Sequence, residues 1–75
     1  DDVFSLLEVQ ELSNLLEEAV SLLPERCREI FSKSRYDLLS NKELAENMNI
    51  SEKTVENQIT IALKKIRKFL DEKYL

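Results

Sequence analysis

The stretch Ser40-Asn41-Lys42-Glu43-Leu44-Ala45-Glu46-Asn47-Met48-Asn49-Ile50-Ser51-Glu52-Lys53-Thr54-Val55-Glu56-Asn57-Gln58-Ile59 limits what this chain can fold into more than any other. It predicts a short helix, a tight turn and a second helix. Ser40 reads as an N-cap, and Glu43 three residues on completes a capping box. Leu44, Ala45 and Met48 make the buried stripe of a helix over about 41–48, with the small Ala45 where two crossing helices touch. Asn49 is, after glycine, the residue best able to adopt the left-handed conformation that ends a helix. Ser51 caps the next helix, and Glu52 opens it with a charge that suits the helix dipole. Ile50, Val55 and Ile59 fall where that second helix faces a core. This is the layout of a helix-turn-helix, which sets one helix in the major groove of DNA.

The rest of the chain also reads as helix, giving an all-α, small four-helix domain with a helix-turn-helix and no wing. A first helix is expected over about Val9–Leu22, with Leu12, Leu15, Leu16, Ala19, Leu22 and Leu23 at helical spacing inward. Phe4, Leu6 and Leu7 before it extend this helix or fray. Pro24 suits the first position of a second helix running to about Tyr36. Cys27, Ile30 and Phe31 face inward there, with Arg26, Arg28, Glu29 and Lys33 outward. Asp37-Leu38-Leu39 is a turn. The fourth helix, about Glu52–Glu72, puts Val55, Ile59, Ala62, Leu63, Ile66, Phe69 and Leu70 on one face. The expected divisions are 1–8 as an extension or frayed helix start, 9–72 as the domain and 73–75 as a tail.

Composition excludes several classes of function. With 75 residues there is room for one small domain. No glycine and a single proline leave no flexible linker. One cysteine and no histidine give no disulfide and no zinc ligand set, so no metal and no cofactor are expected. A cytoplasmic location is expected, with no signal peptide and no apolar run near the ~20 residues that span a bilayer. Catalysis has neither a histidine nor a glycine-rich phosphate loop to rest on, so an enzyme is not expected. The start at Asp1-Asp2, without Met, suggests a piece of a longer protein.

The net charge of −4 is awkward for a DNA binder, but its distribution is uneven. Residues 1–25 carry seven acids and no base, while 26–75 carry eleven bases against eight acids. An acidic first helix and a mildly basic remainder are compatible with one protein-facing and one DNA-facing side.

On the expected recognition helix, Lys53, Glu56, Asn57, Thr60 and Lys64 share the face opposite the apolar one. Asn57 matches adenine, Lys53 guanine or phosphate, Glu56 the amino group of cytosine, and Thr60 a phosphate or a thymine methyl. Asn41, Lys42 and the N-termini of both helices suit phosphates, which set register without reading sequence. Lys64 suits the backbone near the groove exit, while Lys65, Arg67 and Lys68 read as solvated surface. Ile61 lies among these polar residues, either as an ordinary exposed side chain or as a contact to a thymine methyl or a partner.

Taken together, Leu22-Leu23-Pro24-Glu25-Arg26-Cys27-Arg28-Glu29-Ile30-Phe31, Ser34-Arg35-Tyr36, Ser40-Asn41-Lys42-Glu43-Leu44-Ala45, Asn49 through Ile59, and Ala62-Leu63-Lys64-Lys65-Ile66-Arg67 resemble region 4 of bacterial extracytoplasmic-function (ECF) sigma factors. The wording is closest to those of Bacteroides and its relatives, and the likeness spans about residues 11–70. The resemblance implies a four-helix domain whose helix-turn-helix reads the −35 promoter element, a second surface docking on the RNA polymerase β flap, and an anti-sigma factor as a further partner. It implies DNA contacts at Ser40, Asn41, Lys42, Glu52, Lys53, Thr54, Glu56, Asn57 and Thr60. The region that opens −10 DNA is not in this sequence. Two positions depart from the family pattern. Asp37-Leu38-Leu39 stands where a glycine-containing turn is usual, so either Asp37 or Leu38 takes the strained conformation or the turn has another shape. Asn49 stands where the motif's own turn often has glycine.

Two other readings remain. The output domain of LuxR-type regulators has a similar helix-turn-helix wording, but its preceding helix usually starts Leu-Thr-x-Arg-Glu, where this chain has Leu23-Pro24-Glu25-Arg26-Cys27-Arg28. A helix-turn-helix used only for protein interaction fits the net negative charge.

Overall fold

The computed structural model describes the backbone of residues 2–74 and the side chains of residues 8–73. Four helices follow one another: α1 (Asp2–Ser21), α2 (Glu25–Arg35), α3 (Asn41–Met48) and α4 (Glu52–Tyr74). Among the described residues there is no strand. α4 is the spine against which each of the other helices packs, and α2 also packs on α3. The molecule is elongated, 46 × 23 × 16 Å.

The core divides into two clusters. Ala19, Val20, Leu23, Cys27, Phe31, Ala62 and Ile66 form one, with Leu16, Phe69 and Leu70 against it. Ile30, Leu44, Ala45 and Val55 form the other, with Leu39, Met48, Ile50 and Ile59 packed around them. α2 and α4 contribute to both, so the helix-turn-helix is clamped to the rest of the domain by shared helices and not by a linker. At the seam the Cys27 thiol donates to the Gln58 carbonyl at 3.4 Å. Burial pushes this thiol's pKa up, against the opposing pull of the Lys65 charge. The thiol therefore stays protonated at neutral pH and serves as a small core group.

The caps explain where α3 and α4 begin and end. The Ser40 hydroxyl accepts from the Glu43 N–H at 3.1 Å, and the Ser40 N–H donates to Glu43 Oε1 at 2.9 Å, the reciprocal pair of a capping box. Those bonds hold the Glu43 carboxyl below its ordinary pKa. Asn49 is left-handed, with φ 56° and ψ 49°. The Ile50 N–H reaches back to the Ala45 carbonyl at 3.0 Å, the six-residue closure of a Schellman motif, with Ile50 and Ala45 in the same cluster. Two residues on, the Ser51 hydroxyl accepts from the Thr54 N–H at 3.0 Å and caps α4.

Several sequence expectations change. α1 starts at Asp2 and α4 runs to Tyr74, so both are longer than the periodicity suggested, while α2 is trimmed to Glu25–Arg35. The side chains of Phe4, Leu6 and Leu7 and the end residue Leu75 lie outside the described residues. Pro24 is the N-cap of α2, not its first helical residue, with ψ 149°. The turn by which Leu22 and Leu23 hydrogen-bond back to Ala19 and Val20 ends α1 before the proline. That turn sends Leu22 into solvent, 65 % exposed, and leaves Leu23 in the core. Leu12 is exposed because every described residue from Glu8 to Asn14 is exposed, beyond the part of α1 that packs on the core. Val20, absent from the expected stripe, is buried. Leu63 is exposed as well, lying about 80° around α4 from Val55 at 100° per residue. In the α2–α3 turn, Leu38 takes the left-handed position with φ 58°.

Candidate nucleic-acid interface

The caps determine how this surface is built. Because Ser40 and Ser51 take up the third N–H of α3 and α4, the amides of the first turn ahead of them stay without intrahelical partners, as at every helix start. Both helix starts therefore offer backbone donors and a positive dipole end to an anion. Beside these donors, Lys42 is exposed and Asn41 is half-buried.

From its N-terminus, α4 presents Lys53, Asn57, Thr60 and Lys64 in i, i+4, i+7, i+11 order, all exposed. They form one stripe about 17 Å long at 1.5 Å per residue. The opposite face of α4 is held down by Val55 and Ala62, both fully buried. The stripe is therefore directed away from the protein by packing. Lys68 continues it one further turn and is also exposed.

Other expected contact residues are placed less simply. Glu52 and Glu56 are exposed on the flank of the stripe, where they lower its positive potential. Thr54 is half-buried, and its hydroxyl lies 2.9 Å from the Ser51 hydroxyl, so this side chain is committed to the cap. The Ser40 hydroxyl is likewise engaged in its capping box, although the residue itself is exposed.

Two residues that tie the helices together were missed in the sequence, where both read as outward. The Lys33 ammonium donates to Asn47 Oδ1 at 3.2 Å and ties α2 to α3. Arg28 is half-buried, and its guanidinium donates to the Ser21 carbonyl at 3.2 Å and the Leu23 carbonyl at 3.5 Å. It closes the end of α1, the kind of job a long cation does at a helix C-terminus. The signal was the short gap between α1 and α2, which brings Arg28 back within reach of those carbonyls.

Away from this face, α1 and α2 enclose an open groove of about 480 Å³, walled by Leu16, Glu17, Val20, Arg28, Arg35 and Tyr36. Among the described residues no cluster of acidic or cysteine side chains could hold a metal ion. Nor is any described helix long and apolar enough to cross a membrane.

Residues 13–66 match the family described as Sigma-70, region 4. The matched span runs from the middle of α1 through both core clusters to Ile66 and includes the whole helix-turn-helix. No curated protein and no solved structure matches the chain.

Proposed function

Because this chain belongs to the sigma-70 region 4 family, whose members bind promoter DNA and RNA polymerase, we propose that it is the −35-reading domain of an ECF-type sigma factor. The observation that carries this reading is the exposed Lys53–Asn57–Thr60–Lys64 stripe, anchored from behind by Val55 and Ala62 and starting at the N-terminus of α4. In this reading Asn57 and Lys53 read base edges, Thr60 and Lys64 meet the backbone, and Ser40, Asn41, Lys42 and the start of α4 set the register on phosphates. Glu52 and Glu56 keep the stripe from binding any duplex tightly. Thr54 acts through the cap that fixes the first turn of α4.

The ECF assignment rests on the Leu23–Phe31 wording and on the Lys53–Gln58 segment of α4. The polymerase β flap is the partner for a surface apart from the stripe, and the groove between α1 and α2 supports this, being open and partly apolar. An anti-sigma factor would compete for the same protein-facing side. Work on promoters with polymerase puts the domain in the cytoplasm.

The test is a salt-dependent titration against −35-like duplexes, with the domain free and fused to the polymerase flap. Asn57→Ala changes base preference at one position. Lys64→Ala lowers the salt slope by about one charge without changing preference. Equal weakening of all sequences by Asn57→Ala removes that residue as a base reader. Absence of binding at low salt, even in the flap fusion, leaves a helix-turn-helix that serves protein contacts only, the reading that the net charge of −4 favours.

A further inference from the structure

Among the described residues, Ile61 is the one apolar side chain on the outward side of α4 that neither core cluster accounts for and the proposed contacts do not use. It is 40 % exposed, although a β-branched aliphatic group loses by facing water. It follows Asn57 by one helical turn, about 40° around the axis, and helical side chains lean toward the N-terminus. Ile61 therefore covers the surface directly beside Asn57. The other exposed aliphatic residue of α4, Leu63, differs in this respect. It lies about 120° from Asn57, at the margin of the buried face.

We infer that Ile61 is a specificity residue that packs against the 5-methyl group of a thymine within two base pairs of the adenine paired by Asn57. The inference rests on the DNA-reading function proposed above. Thymine carries the only apolar group that a base edge offers in the major groove, and an aliphatic side chain is its natural contact. One turn of α4 advances about 5.4 Å, between one and two base-pair steps, so the two residues reach neighbouring pairs. Asn57 alone distinguishes adenine by hydrogen bonds. Ile61 adds discrimination by shape and burial, with no charge to draw the domain onto non-specific DNA. That division suits a recognition helix whose start carries Glu52 and Glu56.

The experiment first selects the preferred duplex from a randomised library. Each thymine in that duplex is then replaced in turn by deoxyuridine, which removes only the methyl group. The native domain loses about fourfold in affinity at one position, the size set by burying a single methyl. Ile61→Ala abolishes that sensitivity and keeps the adenine preference that Asn57 confers, whereas Leu63→Ala retains it. Circular dichroism of both variants establishes that they fold. Deoxyuridine that is neutral at every position, or that weakens Ile61→Ala as much as the native domain, overturns the inference and leaves DNA reading intact. Failure to bind any duplex at low salt, with the domain free or fused to the polymerase flap, overturns both.

Discussion

The two halves of α4 sit in different cores. The first half, through Val55 and Ile59, belongs to the helix-turn-helix cluster, while the second, through Ala62, Ile66, Phe69 and Leu70, belongs to the cluster shared with α1. The first core is small, built from Ile30, Leu44, Ala45 and Val55, and its helix boundaries are fixed by a capping box, a left-handed Asn49 and a serine cap. The second has more members but an open margin, where α1 runs on into residues that are exposed on all sides. The difference separates two tasks. Local hydrogen bonds and a tight core set the angle and start of the reading helix. The looser half holds that helix from behind and leaves apolar surface exposed at its margin.

The largest expected effect comes from the tight core. Leu44→Ala removes a fully buried side chain and should cost about 3 kcal/mol, measured by urea denaturation followed by circular dichroism. Because α2 and α4 serve both clusters, a single transition is expected. A melt in two steps would show that the two halves are independent. Ser40→Ala should cost about 1 kcal/mol by removing one arm of the capping box. The same box gives a pH signature. Glu43 is held below its ordinary pKa, so its contribution is present above the unfolded glutamate value and is lost as pH falls through the lowered folded value. Glu43→Gln should flatten that acid-side loss of thermal stability.

A smaller effect, of opposite sign, is expected in the turn between α2 and α3. Leu38→Gly should raise stability by about 0.5 kcal/mol, since relief of a left-handed leucine exceeds the added freedom of the unfolded chain. Least of all, Leu12→Ser on the overhanging part of α1 should change stability by less than about 0.5 kcal/mol. A large loss there would mean that α1 is held by packing along more of its length than the two clusters describe.

Legibility in the sequence follows the same division. The helix-turn-helix was readable residue by residue, because Ser40, Glu43, Asn49 and Ser51 act through bonds within three or four positions of themselves. The buried stripe of α4 was readable from its period, except at Leu63 on its edge. The ends of α1 and the roles of Leu12, Leu22, Arg28 and Lys33 were not readable. They depend on where one helix stops relative to another and on which long cation bridges the gap, and apart from the short α1–α2 gap beside Arg28 neither leaves a local pattern. The turn before Ser40 was half readable, as a left-handed Asp37, a left-handed Leu38 or a turn of another shape, which the backbone resolves in favour of Leu38. The expected contact residues split the same way. Lys53, Asn57, Thr60 and Lys64 follow from helical period and the capping box of Ser40 from its spacing to Glu43, whereas the commitment of Thr54 to the Ser51 cap emerged only from its hydrogen bond.

The most direct test of the central claim is an NMR titration of the isotope-labelled domain with a −35-like duplex at low salt, read at every backbone amide. Shifts concentrated at Ser40–Lys42 and along the outward side of α4 from Lys53 to Lys64, and reversed by added salt, are the expected result. Shifts confined to the groove walls from Ser13 to Tyr36, or none at any salt concentration with the domain either free or fused to the polymerase flap, would contradict the assignment of that stripe as the DNA-reading face.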